Sequence, residues 1–167
     1  MTNWMERIWA SIGPADRPRA LRSGRKRNGA AFVEFALGSG LLLTAFTGTF
    51  KVGYALIQYN RLETAVAQGA RYASIIPYDS ATSTPSTAFA TAVDNMVLYG
   101  SPVAGTYPVL VGLTTANITL TVTFANGVPS SMQVSISSYT INALFVTYTL
   151  VGKPQVTYPY QGVWAPV

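Results

Sequence analysis

Asn28-Gly29-Ala30-Ala31-Phe32-Val33-Glu34-Phe35 opens an apolar run that continues to Phe50, and the reading of this stretch decides how the rest of the chain is read. From Ala30 to Phe50 the run matches the ~20 residues that an α-helix needs to cross a hydrocarbon core, and it outlasts the ~7–15 residues of a cleaved signal-peptide core. Its far end lacks a small-x-small cleavage pattern, so it reads as retained. Gly38, Ser39, Gly40, Gly48 and Gly53 weaken the run as a helix in water, but small residues let helices approach closely in lipid. Glu34 stands out against this background. A carboxylate inside a span costs on the order of 2.5–3.5 kcal/mol on insertion scales, so it reads either as a functional charge or as a residue close enough to the interface to stay hydrated.

The charge distribution gives the run a direction. Residues 1–29 hold seven of the eleven Lys and Arg against Glu6 and Asp16, a net of +5 that is the whole formal charge of the protein. Beyond them Lys51, Arg61, Arg71 and Lys153 cancel Glu34, Glu63, Asp79 and Asp94. The basic leader has no aromatic interleaving and no nucleic-acid motif, and the adjacent span accounts for it more simply. The positive-inside rule therefore puts residues 1–29 in the cytoplasm and exports the remainder.

Helical periodicity continues past the span. Ala55, Tyr59, Leu62, Val66, Gly69, Ala73 and Ile76 recur at spacings of four and three and define one apolar stripe, while Arg61, Thr64, Gln68 and Arg71 fall on another face. The pattern predicts one helix from about Ala30 to Ile76, roughly 70 Å long at 1.5 Å per residue, that ends at Pro77. Residues 77–87 carry linker chemistry rich in Ser, Thr and Pro. A short helix is expected from Ala88 to about Tyr99, capped near Ser86 or Thr87 and ended by Gly100-Ser101-Pro102. Thr119 to Phe124 and Ser131 to Ser137 alternate apolar and polar residues around Asn126-Gly127, which predicts a β-hairpin. Leu144 to Val151 and Gln155 to Tyr160 read as further strands. The expected fold is α+β, with a small antiparallel sheet laid against the long helix and Val122, Phe124, Val134 and Ile136 on the core face.

Enzymatic chemistry finds little support. The chain has no His and no Cys, which removes Cys–His and Ser–His–Asp catalysis and the imidazole or thiolate metal sites. The four carboxylates after Ala30 are scattered, and no phosphate-binding glycine loop occurs. No catalytic residue, cofactor or metal site is expected. Asn117-Ile118-Thr119 fits a glycosylation sequon, a pattern too frequent to carry weight. Tyr72, Tyr78, Tyr99, Tyr107, Tyr139, Tyr148, Tyr158 and Tyr160 read as core and strand aromatics rather than as an adhesive surface.

The segment from Arg27 to Ser74 resembles a known family. Its basic leader, Gly29 before two alanines, Val33-Glu34-Phe35-Ala36-Leu37, the long apolar helix and Gln68-Gly69-Ala70-Arg71-Tyr72-Ala73 are similar to those of the TadE-like minor pilins (pseudopilins) of tight-adherence (Tad/Flp) pilus systems, of the type IVc class. The likeness extends weakly through Val97-Leu98-Tyr99-Gly100, Ala116-Asn117-Ile118-Thr119 and the closing Pro159-Tyr160-Gln161-Gly162-Val163-Trp164-Ala165-Pro166.

The resemblance implies a type IV pilin-like fold and a reaction done to this chain rather than by it. A prepilin peptidase would cut the Gly29–Ala30 bond on the cytoplasmic side, making Ala30 the new N-terminus and Glu34 the fifth mature residue. Glycine suits the extended, exposed backbone that a protease needs, and Arg25-Lys26-Arg27 would hold the bond at the anionic face of the membrane. The freed ammonium would then neutralise Glu34 of another subunit or of its own. Residues 1–29 make a longer leader than many such proteins carry.

The implied partners are the peptidase, other pilins and pseudopilins, the inner-membrane assembly platform and inner-membrane lipid, without nucleic acid. The implied location is the bacterial inner membrane, single-pass with the C-terminal part periplasmic, and from there an extracellular pilus used in adhesion. The expected parts are a leader at 1–29, a transmembrane helix at 30–50, its amphipathic continuation at 51–76 and an exported domain at 77–167. Two other readings stand beside this one: a single-pass membrane protein with a periplasmic interaction domain outside any filament, and a secreted enzyme with a signal peptide.

Overall fold

In a computed structural model, residues 25–143 and 146–166 are described. Most of the basic leader and the Leu144-Phe145 part of the expected third strand lie outside these residues. One helix, α1, runs from Arg25 to Ile75, 51 residues or about 76 Å. It therefore begins five residues before Ala30, and it stops one residue short of Ile76, where Pro77 cannot continue it. The chain divides into two compact units between Thr44 and Ala45, a boundary that falls within α1. The first consists of the described part of α1 up to Thr44. The second holds the rest of α1 and everything after it.

Within the second unit the apolar stripe is the buried face of α1. Leu62, Val66 and Ala73 are fully buried and Gly69 is buried, with Ala55, Tyr59 and Ile76 partly so, whereas Arg61, Thr64, Gln68 and Arg71 are exposed. Helix α2, Thr87–Tyr99, packs against this face through Phe89, Val93, Val97 and Leu98. Gly69 permits the approach, because a Cβ there would overlap Val97 Cγ2. The caps are as the sequence implies. Ser86 accepts from the Phe89 N–H at 3.1 Å, and Gly100 closes the helix in the left-handed region at φ 68°.

A 3₁₀ turn at Thr115–Asn117 leads into five strands: β1 Ile118–Ala125, β2 Val128–Ile136, β3 Tyr139–Ala143, β4 Val146–Leu150 and β5 Gln155–Pro159. Asn126 and Gly127 both take positive φ, 53° and 81°, as a tight two-residue hairpin turn requires. The expected single sheet is in fact two, one of order β1-β2-β5 and a separate β3-β4 hairpin, all antiparallel. Ser138, at φ 56°, turns the chain out of β2 before β3 can extend it. Strand β3 itself was not expected, since Asn142 and Ala143 are poor strand formers.

Val122, Met132, Val134 and Ile136 supply the sheet's core face, while Phe124 is only half-buried and sits edge-on to Tyr78 and Trp164. The Ser/Thr/Pro segment is more than a linker. Tyr78 is fully buried, pairs in parallel with Trp164, and places its ring 5.0 Å from that of Phe89.

Candidate functional site

From Phe32 to Phe46, α1 is apolar on every side apart from Glu34. Phe32, Val33, Phe35, Leu37, Leu41, Leu42, Leu43 and Phe46 are all exposed, from 59% to 75%, and at 100° per residue they surround the helix rather than form a stripe. Leaving these eight side chains in water would forgo on the order of 10–20 kcal/mol of burial, so the segment needs lipid or neighbouring helices around it. Three of the helix's hydroxyls are already satisfied for an environment without water. Ser39 donates to the Ala36 carbonyl at 3.0 Å, Thr44 to that of Gly40 at 2.8 Å and Thr49 to that of Ala45 at 3.0 Å. The helix is thus a candidate membrane anchor by length, composition and exposure.

Gly29, Ala30 and Glu34 lie together in the opening turns of this helix, all exposed. Ala30 and Glu34 are four residues apart and share one face, with the Glu34 carboxylate about one turn beyond the Ala30 nitrogen. A Cβ built on Gly29, Gly38, Gly40, Gly48 or Gly53 meets nothing within 4 Å, so these glycines leave small-residue surface open along the segment. The Gly29–Ala30 bond is helical here rather than extended. Presenting it as an extended strand requires the first two turns to unwind, which Gly29 makes easier by about 1 kcal/mol relative to alanine.

The remaining carboxylates are not brought together. Glu63 is exposed on α1, Asp79 accepts from the Ser86 hydroxyl at 2.6 Å beside the α2 cap, and Asp94 is half-buried on α2, where burial pushes its carboxyl up to about 6. Among the described residues no cluster of His, Cys, Asp and Glu forms a metal site. Asn117 of the sequon serves the fold: its carbonyl accepts from Thr114 and its amide donates to Ser137 at 3.2 Å. The tyrosines divide. Tyr78 and Tyr139 are buried, but Tyr107 is 85% and Tyr148 49% exposed, so these two are not core aromatics.

Residues 29–71 match the family model described as TadE-like protein. This segment is TadE-like. The match begins at Gly29, covers Glu34 and the all-round apolar turns, and ends at Arg71, inside α1. Neither a curated protein nor a solved structure matches the chain.

Proposed function

We propose that this protein is a minor pilin or pseudopilin of a Tad/Flp-type pilus, matured by prepilin peptidase at Gly29–Ala30 and held in the inner membrane until assembly. The observation that carries the reading is the coincidence, within one TadE-like helix, of an exposed glycine, a carboxylate one turn later and an apolar surface on every side. The peptidase would unwind the first two turns from the cytoplasmic face, where the basic residues ahead of the bond favour anionic lipid. Ala30 would then carry a free ammonium on the face of Glu34, and the pair would enter the packed helices of the assembly with its charge compensated. The partners in this reading are the peptidase, other pilins and pseudopilins of the system and its inner-membrane platform. The C-terminal part would face the periplasm.

The test is N-terminal sequencing of the protein purified from membranes. An N-terminus at Ala30 supports the reading. An intact leader favours a membrane-anchored interaction protein outside any filament, and cleavage beyond Gly48 a secreted protein. Gly29→Val sharpens the test, because a β-branched side chain obstructs a protease at that bond yet finds open space in this fold. The variant should accumulate as the larger precursor, and normal processing would remove the peptidase from the scheme.

A further inference from the structure

The β3-β4 hairpin and the turns of α1 that follow Phe50 enclose a shallow groove of about 270 Å³, lined by Val52, Ala55 and Leu56 of the helix and by Ile141 and Tyr148 of the hairpin. The strand pairing explains its character. Tyr139 pairs with Leu150 and Ile141 with Tyr148 on one face, while Thr140 with Thr149 and Asn142 with Thr147 occupy the other. No charged residue occurs in either strand. Although the groove is apolar, it is not closed: Val52 and Leu56 are each 56% exposed and Tyr148 49%. The neighbouring grooves along α1 differ, since they are lined by Asn60, Arg61 and Gln68 or by Gln58, Arg61 and Asn142.

The position of this groove along α1 says what covers it. If the hydrocarbon core ends at Phe50, then Val52, Tyr54, Ala55 and Leu56 lie about 3 to 9 Å beyond it at 1.5 Å per residue. The head-group layer of one leaflet is roughly 5–8 Å deep, so these turns sit within or at the edge of it. Tyrosine is the residue that favours this layer, with its ring on the apolar side and its hydroxyl in water, and Tyr54 and Tyr148 are both partly exposed there. Apart from Lys51, the exposed side chains of α1 from Phe50 through Val52 and Tyr54 to Leu56 are apolar or aromatic.

We infer that the β3-β4 hairpin is a second membrane contact, and that the exposed surface of Tyr148, Val52 and Leu56, which rims the buried Ile141, seats on the head-group layer of the bilayer that α1 crosses. The inference rests on the membrane-span reading of α1, and the experiment separates the two. The chain has no cysteine, so single-cysteine variants carry a fluorophore at one known place. Tyr148→Cys, Leu42→Cys and Thr121→Cys, each in the full chain, are labelled with an environment-sensitive dye. They are reconstituted in phosphatidylcholine–phosphatidylglycerol vesicles that carry a nitroxide either on the head group or midway along the acyl chain. Leu150→Cys is a second reporter on the same face of the hairpin should loss of the tyrosine disturb it.

The label at 148 should be quenched by head-group nitroxide several-fold more than the label at 121, which lies on the outer face of β1, and the label at 42 should respond most to acyl-chain nitroxide. Equal quenching at 148 and 121 with normal quenching at 42 overturns the hairpin contact and leaves the span intact. No quenching at 42 removes the span and the hairpin contact with it. If emission at 148 shifts with rising protein-to-lipid ratio while head-group nitroxide has no effect, a second copy occupies the groove and the inference also falls.

Discussion

The main-chain N–H of Tyr78 donates to the hydroxyl of Tyr160 at 2.9 Å, across 82 residues of sequence. The same N–H also reaches the Val163 carbonyl at 2.9 Å, and the Tyr160 hydroxyl in turn faces the carbonyls of Val163 at 2.8 Å and Ile76 at 3.1 Å. One phenol therefore ties together the end of α1, the segment after it and the closing residues of the chain. Burial pushes the hydroxyl pKa of both tyrosines up, so each remains a proton donor at neutral pH.

Tyr160→Phe removes this oxygen and keeps the ring. Two net hydrogen bonds at about 0.5–1.5 kcal/mol each put the expected loss near 2 kcal/mol, softened because Tyr78 keeps its bond to Val163. Denaturant unfolding of wild type and variant in detergent measures it. An unchanged midpoint would show that the closing segment is held by its rings alone.

Gly69 is the contact through which α1 and α2 approach. Gly69→Ala should improve helix propensity by about 1 kcal/mol, yet it places a methyl into Val97 Cγ2, and overpacking of this kind costs about 1–3 kcal/mol. The net effect should be destabilising. Val97→Ala introduced with it should recover part of the loss, because the second change empties the space that the first one needs. Additive losses in the double variant would mean that the two helices separate rather than collide.

The long-range part of this architecture was hidden for reasons that particular residues show. The α1 stripe, the Ser86 and Gly100 caps and the Asn126-Gly127 turn were legible because each is a local pattern with a local cause. Tyr78 was not, because its burial depends on Trp164 and Tyr160 arriving from the far end of the chain, while its neighbours have the composition of a loop. The split into two sheets hinges on the backbone of one residue, Ser138, that nothing in its side chain announces. Gly29 and Glu34 were legible as candidates by their chemistry, but the helical state of the bond between Gly29 and Ala30 was not, since a basic stretch before an apolar run does not specify where a helix starts.

Asp94 makes stability depend on pH. Burial raises its carboxyl from 3.8 to about 6, so the folded state binds the proton more tightly than the unfolded chain does. A raised carboxylate pKa works against the fold wherever the group is ionised. The penalty is present in full above pH 6, shrinks as pH falls through 6, and is gone below the unfolded value near 4. Stability contributed by this site should thus rise between pH 7 and pH 4. Asp94→Asn should be more stable than wild type at pH 7 by about 1 kcal/mol, water screening the half-buried group, and should lose this slope. Unfolding midpoints of both proteins across that pH range check it, and parallel curves would assign the slope to other groups.

Glu34 is the residue on which assembly should depend. In the mature form proposed here, the Ala30 ammonium lies one turn away on the same helix face, and the negative charge falls in the first turn, where the helix dipole favours it. Glu34→Gln removes the charge and keeps the shape. Insertion should be unchanged or better, since a neutral amide costs less in hydrocarbon than a carboxylate. Removal of the leader should survive as well, because the scissile bond lies a full turn away and the Gly29 surroundings are unaltered. What should fail is association, because the buried ammonium of each subunit then meets no anion, and an uncompensated buried charge costs about 3–5 kcal/mol. Membrane fractionation, precursor size and co-purification with other pilus components separate these three steps in one strain. Loss of co-purification with normal insertion and processing is the expected result. Unchanged co-purification would make Glu34 an interfacial residue that stays hydrated, and would leave the ammonium to find its partner elsewhere.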